Sequence, residues 1–143
     1  MPYVALVTGA SSGIGEAVAR RLAREPDVRL ILVARREERL RALAEQFGGA
    51  TVIAADLTDP QAASLIAETI EREHGALNLL VNNAGARWAL DFSDGGWDNV
   101  AQHLRINFEA PVRLVEALLP LLRRTAAAGG PLAASSAHGG QRA

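Results

Sequence analysis

Lysine is absent from this sequence; all fifteen basic residues are arginine. A nucleotide P-loop is thereby excluded, because that turn closes on Gly-Lys-Ser/Thr. Cysteine is absent as well, which removes disulfides and thiolate metal sites. Tyrosine occurs once, as Tyr3. Acidic and basic residues nearly cancel, to a net charge of −1, so no cationic excess is available to neutralise the phosphates of nucleic acid. His74, His103 and His138 are far apart and show no metal-ligand spacing, so no metal is expected. No apolar run approaches the length that spans a bilayer, and Met1-Pro2 leads into Tyr3-Val4-Ala5-Leu6-Val7 without a basic leader. The expectation is a soluble, cytoplasmic protein with neither a membrane nor a nucleic-acid partner.

What is present is the raw material of one globular domain: 143 residues, 49% apolar and 22% charged. Short apolar runs alternate with segments of helical period, the pattern of βαβ units on a parallel sheet. Strands are expected at 4–7, 30–33, 51–55 and 77–81, with a fifth due at 131–134. The first helix would carry Ile14, Ala17, Val18 and Leu22 on its inner face. A second spans 37–47 and stops at Gly48-Gly49. A third starts at Asp59-Pro60, an acidic cap followed by proline, and buries Ala63, Ile66, Ala67 and Ile70. After a loop over 85–93, a long helical region runs over 97–124 with a bend near Pro111. The fold class is α/β: a doubly wound parallel sheet of Rossmann type in three α/β/α layers, in the order 3-2-1-4 with the fifth strand beyond the fourth, truncated after about that strand. Residues 1–143 form a single domain, with 125–143 an irregular tail.

The strongest motif is Thr8-Gly9-Ala10-Ser11-Ser12-Gly13-Ile14-Gly15, set between a strand and a helix. Glycines let such a turn approach a pyrophosphate, and the helix start offers free N–H groups and a partial positive charge. Arg35 and Arg36 follow the second strand, where dinucleotide folds select their cofactor. An acid there would bind a ribose 2′-hydroxyl; two guanidinium groups suit a 2′-phosphate. The expected cofactor is therefore NADP(H) in preference to NAD(H). The residues alone leave open that Arg35, Arg36, Arg39 and Arg41 only form a solvated helix side paired with Glu37 and Glu38. Asp56 could equally be a strand-end polar residue, Asn82 and Asn83 turn formers, and Asn107 an exposed helical asparagine.

Together these motifs resemble those of the short-chain dehydrogenase/reductase family. T-G-A-S-S-G-I-G at 8–15 is similar to its cofactor turn, and Asn82-Asn83-Ala84-Gly85 to its N-N-A-G motif. Asp56-Leu57 matches its adenine-contacting position, and Asn107 its catalytic asparagine. The resemblance covers about residues 3–124 well. It implies a cofactor site of Gly9, Ser11, Ser12, Gly13, Ile14, Gly15, Arg35, Arg36, Asp56, Leu57, Asn83, Ala84 and Gly85, with Asn107 and Ser136 as catalytic residues. The implied reaction is hydride transfer between NADP(H) and a carbonyl or secondary alcohol, with the substrate itself unspecified.

The pattern breaks near the C-terminus. Ser135-Ser136-Ala137-His138-Gly139 resembles the family's serine region, but no Tyr-x-x-x-Lys follows it in these 143 residues. Proline at 131, where the fifth strand is due, cannot donate to a central ladder. The expectation is an inactive N-terminal portion of an oxidoreductase; the alternative is a non-catalytic NADP(H)-binding or interaction protein. A methyltransferase-like domain is disfavoured by N-N-A-G and the paired arginines. Leu114, Val115, Leu118, Leu119, Leu121 and Leu122 spread apolar surface around the last helix, which implies self-association.

Overall fold

A computed structural model describes residues 1–85 and 91–136. The loop expected at 85–93 and the tail at 125–143 lie partly outside them. Five strands form one sheet: β1 (Tyr3–Thr8), β2 (Val28–Ala34), β3 (Thr51–Ala54), β4 (Leu79–Asn82) and β5 (Ala133–Ser136). Their order is β3-β2-β1-β4-β5 and every pairing is parallel. The helices are α1 (Gly13–Leu22), α2 (Glu37–Gln46), α3 (Ala62–Glu73), α4 (Phe92–Leu104) and α5 (Ala110–Ala127). This is the Rossmann-type arrangement that the alternation of runs implies.

The two-residue period of the central strand sorts its side chains into two cores. Val4 and Leu6 face Ile66 and Ile70 of α3 and Leu114, Leu118 and Leu121 of α5. Ala5 and Val7 face the other way, onto Ala19 of α1 and Leu40 and Leu43 of α2. Ile31 and Val33 against Leu30 and Leu32 repeat the division on β2. A strand buried on both faces has to read as a continuous apolar run, as β1 and β2 do.

Several local expectations are corrected. Ile14 is 47% exposed and Ala17 is exposed as well; the buried positions of α1 are Gly15 and Ala19, with Val18 and Leu22 partly buried against the core. The close approach of Gly15 to the turn below it rotates that face inward. Asp59-Pro60 is a turn ahead of α3, where the Asp59 carboxylate accepts the Gln61 N–H and its carbonyl the Ala62 N–H. Pro131 precedes β5, so the ladder loses no donor to it. The long helical region starts earlier than expected, at Phe92, and the helices are broken once just ahead of residue 97 and once within 97–124. Gly96 leaves helical geometry at φ 51°, and a π turn (Arg105–Glu109) precedes α5, whose first turn takes Pro111.

At the end of the sheet where β1 begins, side chains replace the missing ladder bonds. The Asn78 side chain accepts the Val4 N–H at 2.9 Å and donates to the Pro131 carbonyl at 3.1 Å. The Thr125 hydroxyl accepts the Leu77 N–H at 3.0 Å and donates to the Leu121 carbonyl at 2.9 Å. Both residues are buried. Thr125→Val keeps the shape but strands the Leu77 N–H, an expected loss of about 1–3 kcal/mol. Asn78→Ala should cost at least as much. Urea denaturation at an unchanged m-value is the measurement; loss below ~0.5 kcal/mol in both variants would contradict this account.

Candidate functional site

The carboxyl ends of β1 and β4 are laced by one hydroxyl. Thr8 closes β1, fully buried, and its Oγ1 donates to the Val81 carbonyl at 3.3 Å. The same oxygen accepts the N–H groups of Asn83 at 3.0 Å and Ala84 at 2.9 Å. Asn83 returns a bond from Nδ2 to the Gly9 carbonyl at 3.3 Å. The turn after β1 and the Asn-Asn-Ala-Gly turn after β4 are thus one unit. The strand order reverses here, since β1 leads outward to β2 on one side and neighbours β4 on the other. Open α/β sheets bind ligands in the crevice outside such a switch point.

Glycine is required in this turn for two distinct reasons. Gly13 has φ +58°, and a Cβ there would meet nothing within 4 Å, so its surface is open. Gly15 is buried, and a Cβ there would overlap the Gly9 carbonyl and the Asn83 amide. The first intrahelical bond of α1 runs from the Glu16 N–H to the Ser12 carbonyl, and no side chain caps the helix. The N–H groups of Gly13, Ile14 and Gly15 therefore have no protein acceptor among the described residues. An exposed helix start with a partial positive charge is what an anion requires.

The arginines divide their work. Arg41 pairs with Glu37 one turn away, as spacing alone allows. Arg36 instead donates from Nη2 to the Ser11 hydroxyl at 3.3 Å. Arg39 donates from Nε to the Ser11 carbonyl at 3.3 Å and from Nη2 to Glu16. The Glu16 carboxyl is held below the usual carboxylate range by hydrogen bonds from Arg20 and then Arg39. Neither Arg35 nor Arg36 forms an ion pair among the described residues. Asp56 sits just beyond β3 and accepts the hydroxyl and backbone N–H of Thr58. Those two bonds, and after them the charge of Arg35, hold its carboxyl below the usual range.

The remaining expected residues converge on the same edge. Asn107 lies inside the π turn, and its Oδ1 is so close to Gly85 that a Cβ on that glycine would come to 2.8 Å. Gly85 therefore admits Asn107 to the end of the N-N-A-G turn. Ser136 ends β5 and pairs in register with Asn82. The side chain of Ser136 lies outside the described residues. Leu57 follows Asp56 and packs against the core from the side of α3. Three contributors were given no site role by sequence: Thr8, named only as the start of the glycine motif, Arg39, named only in the arginine run, and Glu16. A hydroxyl closing an otherwise apolar strand was a signal for Thr8; the partnership of Glu16 and Arg39 across 23 positions had none.

Known proteins share this arrangement. Residues 3–143 match the family model for short chain dehydrogenases. The chain is 37% identical over 134 residues to a rhamnolipids biosynthesis 3-oxoacyl-[acyl-carrier-protein] reductase of Pseudomonas aeruginosa, covering 90% of this chain and 51% of that one. It is 36% identical over 124 residues to mouse carbonyl reductase [NADPH] 3, covering 84% and 45%. Among solved structures, Pseudomonas aeruginosa RhlG in an NADP active-site complex superposes with a TM-score of 0.85 at 30% identity, over 99% of this chain and 59% of that one. L-Sorbose reductase from Gluconobacter frateurii, complexed with NADPH and L-sorbose, gives 0.82 at 32% identity, over 94% and 51%. The chain spans about half the length of these relatives. With the glycine turn, the N-N-A-G turn and Asn107 on one sheet edge and this match over nearly its whole length, the chain belongs to the short-chain dehydrogenase family.

Proposed function

We propose that this chain is the NADP(H)-binding portion of an oxidoreductase acting on a carbonyl or secondary alcohol. The observation that carries the reading is the pair of guanidinium groups gathered at Ser11 beside an open helix start. The N–H groups of residues 13–15 would hold the pyrophosphate, and Arg36, with Arg35 beside it, the 2′-phosphate. Asp56 stays ionised through its Thr58 bonds and offers an acceptor to the adenine amine. Ala84 and Gly85 leave room for a ribose along the β4 edge. When bound, the nicotinamide ring supplies or takes up a hydride at C4.

Asn107 and Ser136 are the groups assigned to the reacting end, where they would hold a substrate oxygen or a water. Proton exchange is a different matter. These 143 residues contain no lysine, and their one tyrosine, Tyr3, opens β1 at the opposite end of the strand from Thr8. Five residue steps of strand place it about 16 Å from the cofactor edge. That separation favours a second reading, a chain that binds NADP(H) without turning it over.

The exposed apolar side chains Leu104, Phe108, Val112, Val115 and Leu119 recur every three or four residues from the end of α4 through the π turn and α5. Of the six residues expected to spread apolar surface, Leu114, Leu118 and Leu121 are instead buried in the core and Leu122 packs against it, which leaves Val115 and Leu119 exposed. We assign the exposed set to self-association, since a helix apolar beyond its core face is covered on more than one side.

Three outcomes are expected. NADPH should bind more tightly than NADH by calorimetry, and Arg36→Ala or Arg35→Asp should weaken NADPH alone by ~10-fold or more, the worth of a lost charged hydrogen bond. Equal affinity of the unaltered chain for both nucleotides would discard the cofactor assignment. The 143-residue polypeptide with NADPH and reactive ketones should consume nucleotide no faster than its Asn107→Ala, Ser136→Ala variant, since a placed general acid typically contributes a factor of about 10²–10⁴. Faster decay would mean that another residue carries the proton. Light scattering at high micromolar concentration should show association that Val115→Glu, Leu119→Glu reduces; a monomer throughout would contradict the assignment.

A further inference from the structure

Glu16 plays no part in the binding scheme above and Arg39 is given no phosphate contact there, yet both stand at its edge. Glu16 lies in the first turn of α1 and Arg39 in the first turn of α2. Arg39 uses one edge of its guanidinium on the protein: Nε to the Ser11 carbonyl at 3.3 Å, and Nη2 to both carboxylate oxygens of Glu16 at 3.0 and 2.9 Å. Its Nη1 has no acceptor among the described residues. From the other side, Arg36 Nη2 reaches the Ser11 hydroxyl. Ser11 is buried and bracketed by two cations.

Glu16 is itself fixed. Its side chain is 15% exposed, against 46% for Arg39. Arg20 donates to it from Nε at 3.1 Å and Nη2 at 2.8 Å. Arg20 is in turn bonded to Gln46 at 3.0 Å and lies 5.7 Å above the Phe47 ring. The carboxylate is therefore anchored to the far end of α2 while it grips the near end. A guanidinium restrained along one edge keeps its other donors exposed and loses less freedom when it meets an anion.

We propose that Glu16 is a positioning residue for phosphate recognition: it holds Arg39 against Ser11, so that Arg39 and Arg36 together present a two-guanidinium edge to the cofactor's 2′-phosphate. The inference rests on the NADP(H) reading above and adds to it the second cation and that cation's anchor. A bare charge argument gives the opposite sign. Removing an anion near a phosphate site should tighten binding, whereas losing the anchor should loosen it.

Calorimetry on the full chain decides, with NADPH, NADH, adenosine 2′,5′-bisphosphate and adenosine 5′-phosphate as probes. Arg39→Ala should weaken NADPH and the bisphosphate by ~10-fold or more and leave NADH and adenosine 5′-phosphate within ~2-fold. Glu16→Ala should show the same selective loss at ~3- to 10-fold, smaller because the cation remains. Arg39→Lys keeps the charge but cannot bridge Ser11 and Glu16 at once, so it should fall between the unaltered chain and Arg39→Ala. Thermal melts followed by circular dichroism verify folding of each variant. Tighter or unchanged binding in Glu16→Ala, full recovery in Arg39→Lys, or equal weakening of NADH would each overturn the proposal. If the unaltered chain binds neither nucleotide, the NADP(H) reading fails; if it prefers NADPH and both alanine variants bind as it does, only the Glu16–Arg39 role fails.

Discussion

One buried hydroxyl holds the functional edge of this molecule together. Thr8 Oγ1 takes two N–H groups from the turn after β4 and gives its proton to the Val81 carbonyl, across more than seventy positions of sequence. Backbone groups in a turn cannot join a ladder, and in a buried position each needs a partner. Thr8 supplies it for both Asn83 and Ala84. Everything else at the crevice follows from that junction: Asn83 reaches Gly9, Gly15 fits against both, and α1 begins with N–H groups that have no acceptor among the described residues. At the opposite end of the strands, Asn78 and Thr125 do the same work for β1, β5 and α5.

Much of this was legible before any coordinates. The strands of the interior, Val4–Val7 and Leu30–Val33, are apolar without interruption, and only a doubly covered parallel sheet gives such runs a place. The glycines at 9, 13 and 15 and the N-N-A-G turn marked the crevice because each occupies a position where a side chain would collide or a backbone must turn. What resisted reading were matters of contact between distant segments. Helical period places Ile14 and Leu22 on equal terms, but the inner face of α1 is chosen by what lies beneath it, and that is Gly9 and Asn83. Asp59-Pro60 carries the composition of a helix cap and forms a turn instead, because the Asp59 carboxylate is satisfied by the Gln61 N–H outside the helix.

The arginines show the same limit from the side of charge. Sequence spacing correctly pairs Arg41 with Glu37, since both partners lie on one helix. It has no access to Arg39, whose partner is on another helix and whose second acceptor is a loop carbonyl. Arg124 and Glu71 form a similar bridge between α5 and α3, on the far side of the sheet. Exposed pairs of this kind contribute little to stability, typically well under ~1 kcal/mol. Their effect here is on direction: they decide where a long, flexible cation points.

The Thr8 junction also has a kinetic side. β1 meets β2 after one short crossover, but its second neighbour, β4, arrives only when most of the chain has been laid down. A chain that has formed only β1, α1, β2, α2 and β3 has the glycine turn but lacks the Asn83 and Ala84 N–H groups that organise it. Contacts so far apart in sequence form late, because loop closure precedes any return from the contact. A ligand that needs the assembled crevice therefore has no purchase on such an intermediate. It adds stability only to the closed state, about 2.7 kcal/mol at a hundredfold excess over its dissociation constant. Any ligand of the crevice would then act on unfolding and leave the rate of folding untouched, so that occupancy of the crevice would be a measure of how long the sheet stays shut.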